Sequence, residues 1–261
     1  MRLAREIRFS VVETPHEGRA INSWAGWPST DGLAPFLALR ATVSGSVDGR
    51  TGYLCNIKQI DELLRERAIP LIRQRHESNA STAAAAIVSD CFRACASVVP
   101  QAVVLERLEL AATPWLRFAA DRSELPMVEM TQSFEFSASH RLYSPELSDD
   151  ENRRIFGKCA NPNGHGHNYV VDVTVAGVPD AKTGATVELP QFERIVKELV
   201  IDRFDHRHLN LDCDEFRRLN PTVENITRVI WDKLSGQFAN ARLTRVRVWE
   251  TPKTYAEYSP E

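Results

Sequence analysis

The length, composition and charge of the chain exclude several classes of protein. Its residues are 43% hydrophobic and 26% charged, a composition that excludes a disordered or fibrous protein. Its length of 261 residues, at roughly 150 residues per domain, predicts two domains or one large one. The net charge of −3 leaves no basic excess for a nucleic-acid backbone, no apolar run is long enough to cross a bilayer, and the N-terminus lacks the apolar core of a signal peptide.

The two halves of the chain predict the same order of elements: strand, strand, helix, helix, strand, strand. In the first half, the helices are expected near 56–74 and 82–97. In the second half, the predicted elements are strands 130–140 and 169–176, a turn at 180–184, helices 190–203 and 222–234, and strands 242–249 and 254–258. Ser148 to Glu151 form a capping-box pattern for a short additional helix. The pattern predicts an α+β fold in which four-stranded antiparallel sheets carry two helices on one face.

Two segments of the sequence match each other without a gap. Gly45 and Gly52 in the first half have counterparts in Gly177 and Gly184, each 132 residues further on. The other matching positions are Thr42 with Thr174, Val43 with Val175, Asp48 with Asp180, Thr51 with Thr183 and, at a separation of 138, Thr113-Pro114 with Thr251-Pro252. The chain is therefore predicted to be a tandem duplication, with domains 1–124 and 125–261 and a boundary in the polar stretch 121–126.

The cysteines indicate a reducing compartment. There are five, an odd number, and they are scattered along the chain, which is typical of free thiols in a cytoplasm rather than of a disulfide framework. Cys91 and Cys95 lie one helical turn apart in an alanine-rich stretch and are predicted to be small core residues. We therefore expect a soluble cytoplasmic protein.

The histidines of the second half predict a metal site. His165 and His167 are two residues apart, and on an extended segment such residues point to the same side, so both imidazoles can reach one metal ion. His140 ends the preceding predicted strand, which an antiparallel hairpin brings alongside. Three imidazoles suit zinc, and three protein ligands leave a fourth position for water or substrate. The alternative is a glycine-rich turn with surface histidines.

Cys159, six residues before His165, admits three interpretations. A thiol close to a dication and to Lys158 has a lowered pKa and can act as a base. A fourth metal ligand would instead make the site closed and structural, and an inert buried thiol is the third interpretation. The residue types alone do not decide among them.

Three further features indicate a functional site, but each is weaker evidence on its own than the histidines are. A carboxylate beside an imidazole, as in Asp205 and His206, can orient the ring or share a proton with it, although such pairs are common on surfaces. Glu250 ends a predicted strand and could accept paired hydrogen bonds from the edge of a pterin or guanine ring. Thr222 and Glu224 fit a helix cap and a first-turn acid that the helix dipole favours.

Taken in order, these residues resemble a known family. The motifs are Phe134-x-Phe-Ser-Ala-Ser-His140, Phe156-Gly-Lys-Cys-Ala-Asn-Pro-Asn-Gly-His-Gly-His-Asn-Tyr169, Asp205-His206, Pro221-Thr-x-Glu-Asn225 and Glu250-Thr251. Together they closely resemble the 6-pyruvoyl tetrahydropterin synthase family of the tunnelling-fold (T-fold) superfamily, which also contains 6-carboxytetrahydropterin synthase. The resemblance covers roughly residues 130–260, and the combination of motifs is highly specific. It implies two T-fold units, of which the second is catalytic.

The resemblance also implies a role for each of the residues singled out above. The implied roles are zinc ligation by His140, His165 and His167, general-base catalysis by Cys159, proton relay by Asp205 and His206, and pterin binding by Glu250, Thr222 and Glu224. The implied substrate is 7,8-dihydroneopterin triphosphate, and the implied product is 6-pyruvoyl-tetrahydropterin. A 6-carboxytetrahydropterin synthase of the queuosine pathway and a non-catalytic pterin- or metal-binding scaffold are the alternatives. Five residues separate Cys159 from His165, and this spacing resembles that of the pyruvoyl-forming members of the family more than that of the carboxy-forming ones.

The first half resembles a degenerate copy of the second. At the repeat spacing, the positions of His165, His167, Asp205, His206, Glu224 and Glu250 are occupied by Leu33, Pro35, Arg73, Gln74, about Ala84, and Ala112. His140 has no convincing counterpart, although His16 lies near the expected position. We therefore expect the first half to fold without zinc or catalysis. Because T-fold units assemble into rings, the resemblance implies a homo-oligomer, either a trimer of two-domain chains or a dimer.

Overall fold

The computed structural model describes residues 1–12, 33–78 and 83–260, so that His16 and the predicted helix start at Thr82 lie outside the described residues. The chain forms two compact units. The first comprises Met1–Thr131 with Ala176–Thr186, and the second comprises Gln132–Val175 with Val187–Glu261. No described helix is both long and apolar enough to span a membrane.

The first unit is an antiparallel sheet with helices on one face. Its strands pair in chain order, β1 with β2, β2 with β3 and β3 with β4. The elements are β1 (Arg2–Ser10), β2 (Phe36–Gly45), α1 (Ile57–Leu63), a π-helical turn (Leu64–Ala68), α2 (Ile69–Glu77), α3 (Ala84–Ala96), β3 (Val103–Thr113) and β4 (Leu116–Asp121). Alternation along β2 buries Leu39, Ala41 and Val43, while α3 contributes Phe92 and the two predicted core cysteines to the same apolar layer.

The second unit repeats that order and adds short elements around one end of its sheet. Its main strands are neighbours in the order β5-β6-β8-β9. The elements are β5 (Val128–His140), α4 (Asp149–Phe156), β6 (His165–Gly177), α5 (Leu189–Val196), a π-helical turn (Lys197–Ile201), α6 (Asp202–Phe204), β7 (Arg207–His208), α7 (Leu209–Asp212), α8 (Val223–Leu234), β8 (Arg242–Thr251) and β9 (Thr254–Tyr258), with 3-10 turns at Gly157–Ala160 and Asp214–Phe216. The α+β class with an antiparallel sheet is thereby confirmed.

Local sequence signals fix several of these boundaries. The Ser148 side chain accepts from the Glu151 N–H and the Glu151 carboxylate accepts in return, so the predicted capping box is formed. The Thr222 hydroxyl caps α8 by accepting from the Asn225 N–H. Two features were not predicted from the sequence. The first helical stretch of each half contains a π-helical turn. In addition, β7 pairs with β5 in parallel, so the second sheet is not wholly antiparallel.

An aromatic layer beneath the sheet supports the end of β5 and the start of β6. The rings of Phe136 and Tyr169 stack with centroids 5.0 Å apart, and Phe204 packs against Phe136 at 5.9 Å. Tyr169 and Phe204 are fully buried. Because His140 and His167 lie a few residues along the same strands, this layer fixes the backbone from which their side chains project.

Candidate metal centre and active site

Two adjacent strands bring three imidazoles together. His140 is the last residue of β5 and His165 is the first of β6. The Nε2 atoms of His140 and His165 are 3.1 Å apart, and the candidate ligand atoms of His140, His165 and His167 all lie within 4.8 Å of one another. Within the described ranges, this is the one group of three side chains suited to holding a metal ion. The convergence predicted from the His-x-His spacing is therefore present.

His140 is held in the form that binds metal. Its side chain is fully buried, and its Nδ1 lies 2.7 Å from the carbonyl oxygen of Pro221, so Nδ1 carries the hydrogen and donates it. This leaves the lone pair on Nε2, which faces the other two imidazoles. Burial lowers the pKa of His140 to about 4, so the ring is neutral near pH 7. A neutral imidazole with its other nitrogen hydrogen-bonded to a carbonyl is the usual metal-binding state of histidine.

The donor atoms of the other two rings fit a metal ion as well. The Nε2 of His167 is buried and has no hydrogen-bond partner among the described residues, while the Nε2 of His165 faces that of His140. Burial, followed by the neighbouring His167, lowers the pKa of His165. Buried polar nitrogens without partners are costly. A cation bound at the centre of the three rings would satisfy such atoms, and the nitrogen donor set suits a transition metal.

Glu250 places a carboxylate against the same cluster. It lies near the end of β8, and its Oε1 is 3.4 Å from the Nε2 of His140 and 3.6 Å from the Nε2 of His167. Its side chain is about one-fifth exposed. The sequence identified Glu250 as a site residue but not this closeness to the histidines, because β8 is distant from them in the chain. Its role as a pterin anchor stays a prediction.

Cys159 lies in the 3-10 turn before β6 and is half-buried with a free thiol. Its carbonyl oxygen accepts from the Leu142 N–H at 2.9 Å, which ties the turn to the segment after His140. Burial raises the pKa of the Cys159 thiol, and the negative charge of Glu250 raises it further. The protein groups alone therefore keep this thiol protonated. The lowered pKa expected from the sequence depends on the charge of a bound dication.

Asp205 and His206 contact each other and the backbone of Ser137 in β5. Asp205 Oδ2 is 2.8 Å from His206 Nδ1, and Asp205 Oδ1 accepts from the Ser137 N–H at 2.8 Å. The Ser137 and His206 contacts both lower the pKa of the Asp205 carboxyl. His206 has a φ of 55°, a strained value for a non-glycine residue, and its N–H donates to the Ser137 carbonyl at 2.6 Å.

The structure does not join this pair directly to the thiol. Among the described residues, no hydrogen bond or ion pair connects His206 with Cys159 or Glu250, and the His206 side chain is 83% exposed. One pocket of about 440 Å³ has both His206 and His167 in its lining. Of the two remaining predicted site residues, Thr222 caps α8 next to Pro221, whereas Glu224 is exposed in the first turn.

Sequence reasoning assigned no role to several residues that hold the site in place, although Ser137 and Pro221 lie inside the quoted motifs. They are Pro221, whose carbonyl orients His140, Ser137, whose backbone anchors Asp205 and His206, and Asn210, whose side-chain amide spans the backbone N–H and C=O of Arg141. Two of these contacts use main-chain atoms, which carry no signal in residue type. Asn210 follows the Asp205-His206 motif closely, but nothing in its spacing indicates its partner.

Fold and site together define a class: an α+β protein whose antiparallel sheet carries three converging histidines, suited to holding a metal ion, beside a carboxylate and a thiol. Residues 129–261 match the family described as 6-pyruvoyl tetrahydropterin synthase. The chain belongs to the 6-pyruvoyl tetrahydropterin synthase family.

Individual relatives agree with that assignment. The chain is similar to the human 6-pyruvoyl tetrahydrobiopterin synthase, with 42% identity over 133 residues that cover 51% of this chain and 92% of the relative. It is 40% identical to the solved Caenorhabditis elegans 6-pyruvoyl tetrahydropterin synthase, with a TM-score of 0.50 and coverage of 52% of this chain and 97% of that one. A Haemophilus influenzae 6-carboxy-5,6,7,8-tetrahydropterin synthase is 26% identical, over 51% of this chain and 99% of the relative.

Proposed function

We propose that this chain is a zinc-dependent lyase that converts 7,8-dihydroneopterin triphosphate into 6-pyruvoyl-tetrahydropterin and eliminates triphosphate. The observation that carries the proposal is the convergence of three imidazoles beside Glu250. Support also comes from the 42% identity to the human 6-pyruvoyl tetrahydrobiopterin synthase. The five free cysteines favour a reducing compartment, and we assign the enzyme to the cytoplasm on that ground.

His140, His165 and His167 are the residues that hold the zinc ion. When bound, zinc supplies a Lewis acid that makes the hydrogens beside the side-chain hydroxyl groups of the substrate more acidic. Glu250 accepts hydrogen bonds from the pterin ring, with Thr222 and Glu224 contributing to the same binding site, and fixes which carbon faces the base. The thiolate of Cys159 takes a proton from a side-chain carbon, the neighbouring carbon–oxygen bond breaks, and its electron pair leaves with triphosphate. The ring is reduced from the dihydro to the tetrahydro level by the substrate itself: the hydroxyl-bearing carbon next to the ring becomes a carbonyl as its hydrogen moves to the ring C=N bond, so no external reductant is needed.

Asp205 and His206 act together as a proton relay, which returns a second proton to the substrate. The Ser137 N–H and the His206 ring lower the pKa of the Asp205 carboxyl, and the carboxylate orients the imidazole of His206. The exposed ring of His206 can exchange protons with solvent. Their fixed backbone keeps the pair in one geometry.

The decisive test is the product formed from 7,8-dihydroneopterin triphosphate by the zinc-loaded protein. We expect mass spectrometry to find a pterin that retains its three-carbon side chain, together with one inorganic triphosphate per turnover. A product with a shortened, carboxylated side chain would instead assign the chain to 6-carboxytetrahydropterin synthase, the activity of its 26% identical relative. Binding of the substrate without any turnover would favour a non-catalytic scaffold.

We infer further that residues 1–124 are a degenerate copy of residues 125–261. Asp48 and Asp180, 132 residues apart, each use Oδ1 to accept from the backbone N–H groups two and three residues further on. Each of these turns ends on a glycine with positive φ, 74° at Gly52 and 72° at Gly184. Matching hydrogen bonds at a constant separation support a common origin for the two turns.

Two more details recur in both copies. A π-helical turn interrupts the first long helix of each unit, at Leu64–Ala68 and at Lys197–Ile201. The hydroxyls of Thr113 and Thr251 each accept from the N–H two residues on, at 3.1 and 3.2 Å. Since π-helical turns are rare, their recurrence at equivalent places supports the proposed T-fold units at 1–124 and 125–261.

We expect the protein to assemble into a homo-oligomer through its sheet edges. Among the described residues, β1 pairs with β2 only and β9 with β8 only, and unpaired strand edges favour association. The expected assembly is a trimer of two-domain chains, with a mass three times the 29.4 kDa of one chain. Light scattering after size-exclusion chromatography measures this mass. A dimer is the alternative assembly, and a stable monomer would contradict the prediction.

A further inference from the structure

Arg141 follows the metal-site residue His140 and is held more tightly than a surface arginine. The Asn210 side chain fixes its backbone from both sides, accepting from the Arg141 N–H at 2.8 Å and donating to its carbonyl at 3.0 Å. The Arg141 Nε donates to the Ala160 carbonyl at 3.1 Å. The guanidinium also lies over the Tyr143 ring, 4.1 Å from its centroid. These contacts orient the side chain in advance of any ligand.

The charge of Arg141 is nevertheless not neutralised within the protein. In the described parts of the chain it forms no ion pair, since its partners are a carbonyl and an aromatic ring. The Asp149 carboxylate accepts from the Tyr143 hydroxyl instead. An oriented, half-buried arginine without a carboxylate partner is unusual, because arginine in such a position normally pairs with an anion.

Lys158 brings a second unpaired cation to the same place. It directly precedes Cys159, its side chain is exposed, and it makes no ion pair with any described residue. Arg141 contacts Ala160, and the next residue, Leu142, donates to the Cys159 carbonyl. The thiol-bearing turn Gly157–Ala160 therefore contains one cation, Lys158, and a second, Arg141, donates a hydrogen bond to its last carbonyl.

We propose that Arg141, assisted by Lys158, binds the triphosphate group of the substrate. The inference rests on the proposed function, in which the group that departs carries several negative charges close to Cys159. A planar guanidinium recognises phosphate oxygens through two parallel hydrogen bonds, and a flexible ammonium adds charge without fixed geometry. Arg141 retains its Nη groups for this purpose, because its recorded protein hydrogen bond uses Nε alone. The two cations also stabilise the charge that develops on the leaving group.

The test replaces Arg141 with Gln and compares three ligands in the zinc-loaded enzyme. We expect the KM for 7,8-dihydroneopterin triphosphate and the inhibition constant of inorganic tripolyphosphate to rise about 10- to 100-fold, the range for one lost charge-assisted contact. The affinity for 7,8-dihydroneopterin, which lacks phosphate, should stay unchanged. Arg141→Lys should restore part of the tripolyphosphate affinity. Arg228→Gln is the matched control, since Arg228 lies on α8, is 64% exposed and pairs with Asp232.

Other outcomes separate this proposal from its alternatives. If Arg141→Gln weakens dihydroneopterin and tripolyphosphate equally, Arg141 only supports the fold and the proposal is wrong. Unchanged tripolyphosphate inhibition would also overturn it. Should Arg141→Gln not fold, Lys158→Gln provides the same comparison at an exposed position, with a smaller loss expected. If the wild-type protein forms no product, the proposed function fails, while direct calorimetry with tripolyphosphate still decides whether Arg141 binds this anion.

Discussion

Replacing Cys159 with Ala is expected to reduce turnover by about 10²- to 10⁴-fold, the range for removal of a general base. Burial raises the pKa of this thiol and the charge of Glu250 raises it further. The thiol lies in the turn that leads into the two histidines of β6. The proposed reaction removes a proton from carbon, and Cys159 is the one cysteine between His140 and His165 in the sequence. Turnover is measured with 7,8-dihydroneopterin triphosphate, and zinc content by mass spectrometry of the purified protein.

Cys55 provides a matched control for this substitution. It is also a half-buried free cysteine whose pKa is raised by burial, but it lies in the first unit. Cys55→Ala should leave both turnover and zinc content unchanged. If Cys159→Ala keeps full activity, another group is the base. If the Cys159→Ala variant loses its zinc, the thiol is a metal ligand, which is the second of the three interpretations drawn from the sequence.

The sequence predicts the framework of the site well because each signal is local. Alternation along β6 is enough to place His165 and His167 on one side, and a capping box or an N-cap involves residues three positions apart. The family motifs add the order of the remaining residues. The Cys91 and Cys95 pair is buried, as its helical spacing in an apolar stretch predicts.

What the sequence misses is long-range or made by the backbone. The carbonyl of Pro221 orients His140 across 81 residues, and the backbone of Ser137 holds Asp205 across 68. Neither contact depends on the type of residue at positions 221 or 137, so no motif reveals it. The π-helical turns were likewise not predicted. One extra residue rotates the following apolar face by about 100°, but a short helix has too few apolar positions for this rotation to be recognised from the sequence.

His165→Ala is expected to remove most of the bound metal and to reduce turnover by at least about 10³-fold. Two imidazoles alone cannot retain zinc at the affinity of three, and the proposed reaction has no Lewis acid without it. We prefer His165 to His140 for this test, because His140 is fully buried and its removal would leave a cavity that confuses loss of metal with loss of fold. Metal content and steady-state turnover are measured on the same preparation.

The exposed His76 of α2 supplies the control, and His76→Ala should keep metal and activity. Thermal unfolding adds a readout that is independent of catalysis. Because a ligand bound only by the folded state stabilises it, a chelator should lower the Tm of the wild-type protein and leave that of His165→Ala unchanged. A variant that keeps a full complement of zinc would show that the three imidazoles do not form the metal site. The proposed chemistry would then lose the group on which the acidity of the substrate depends.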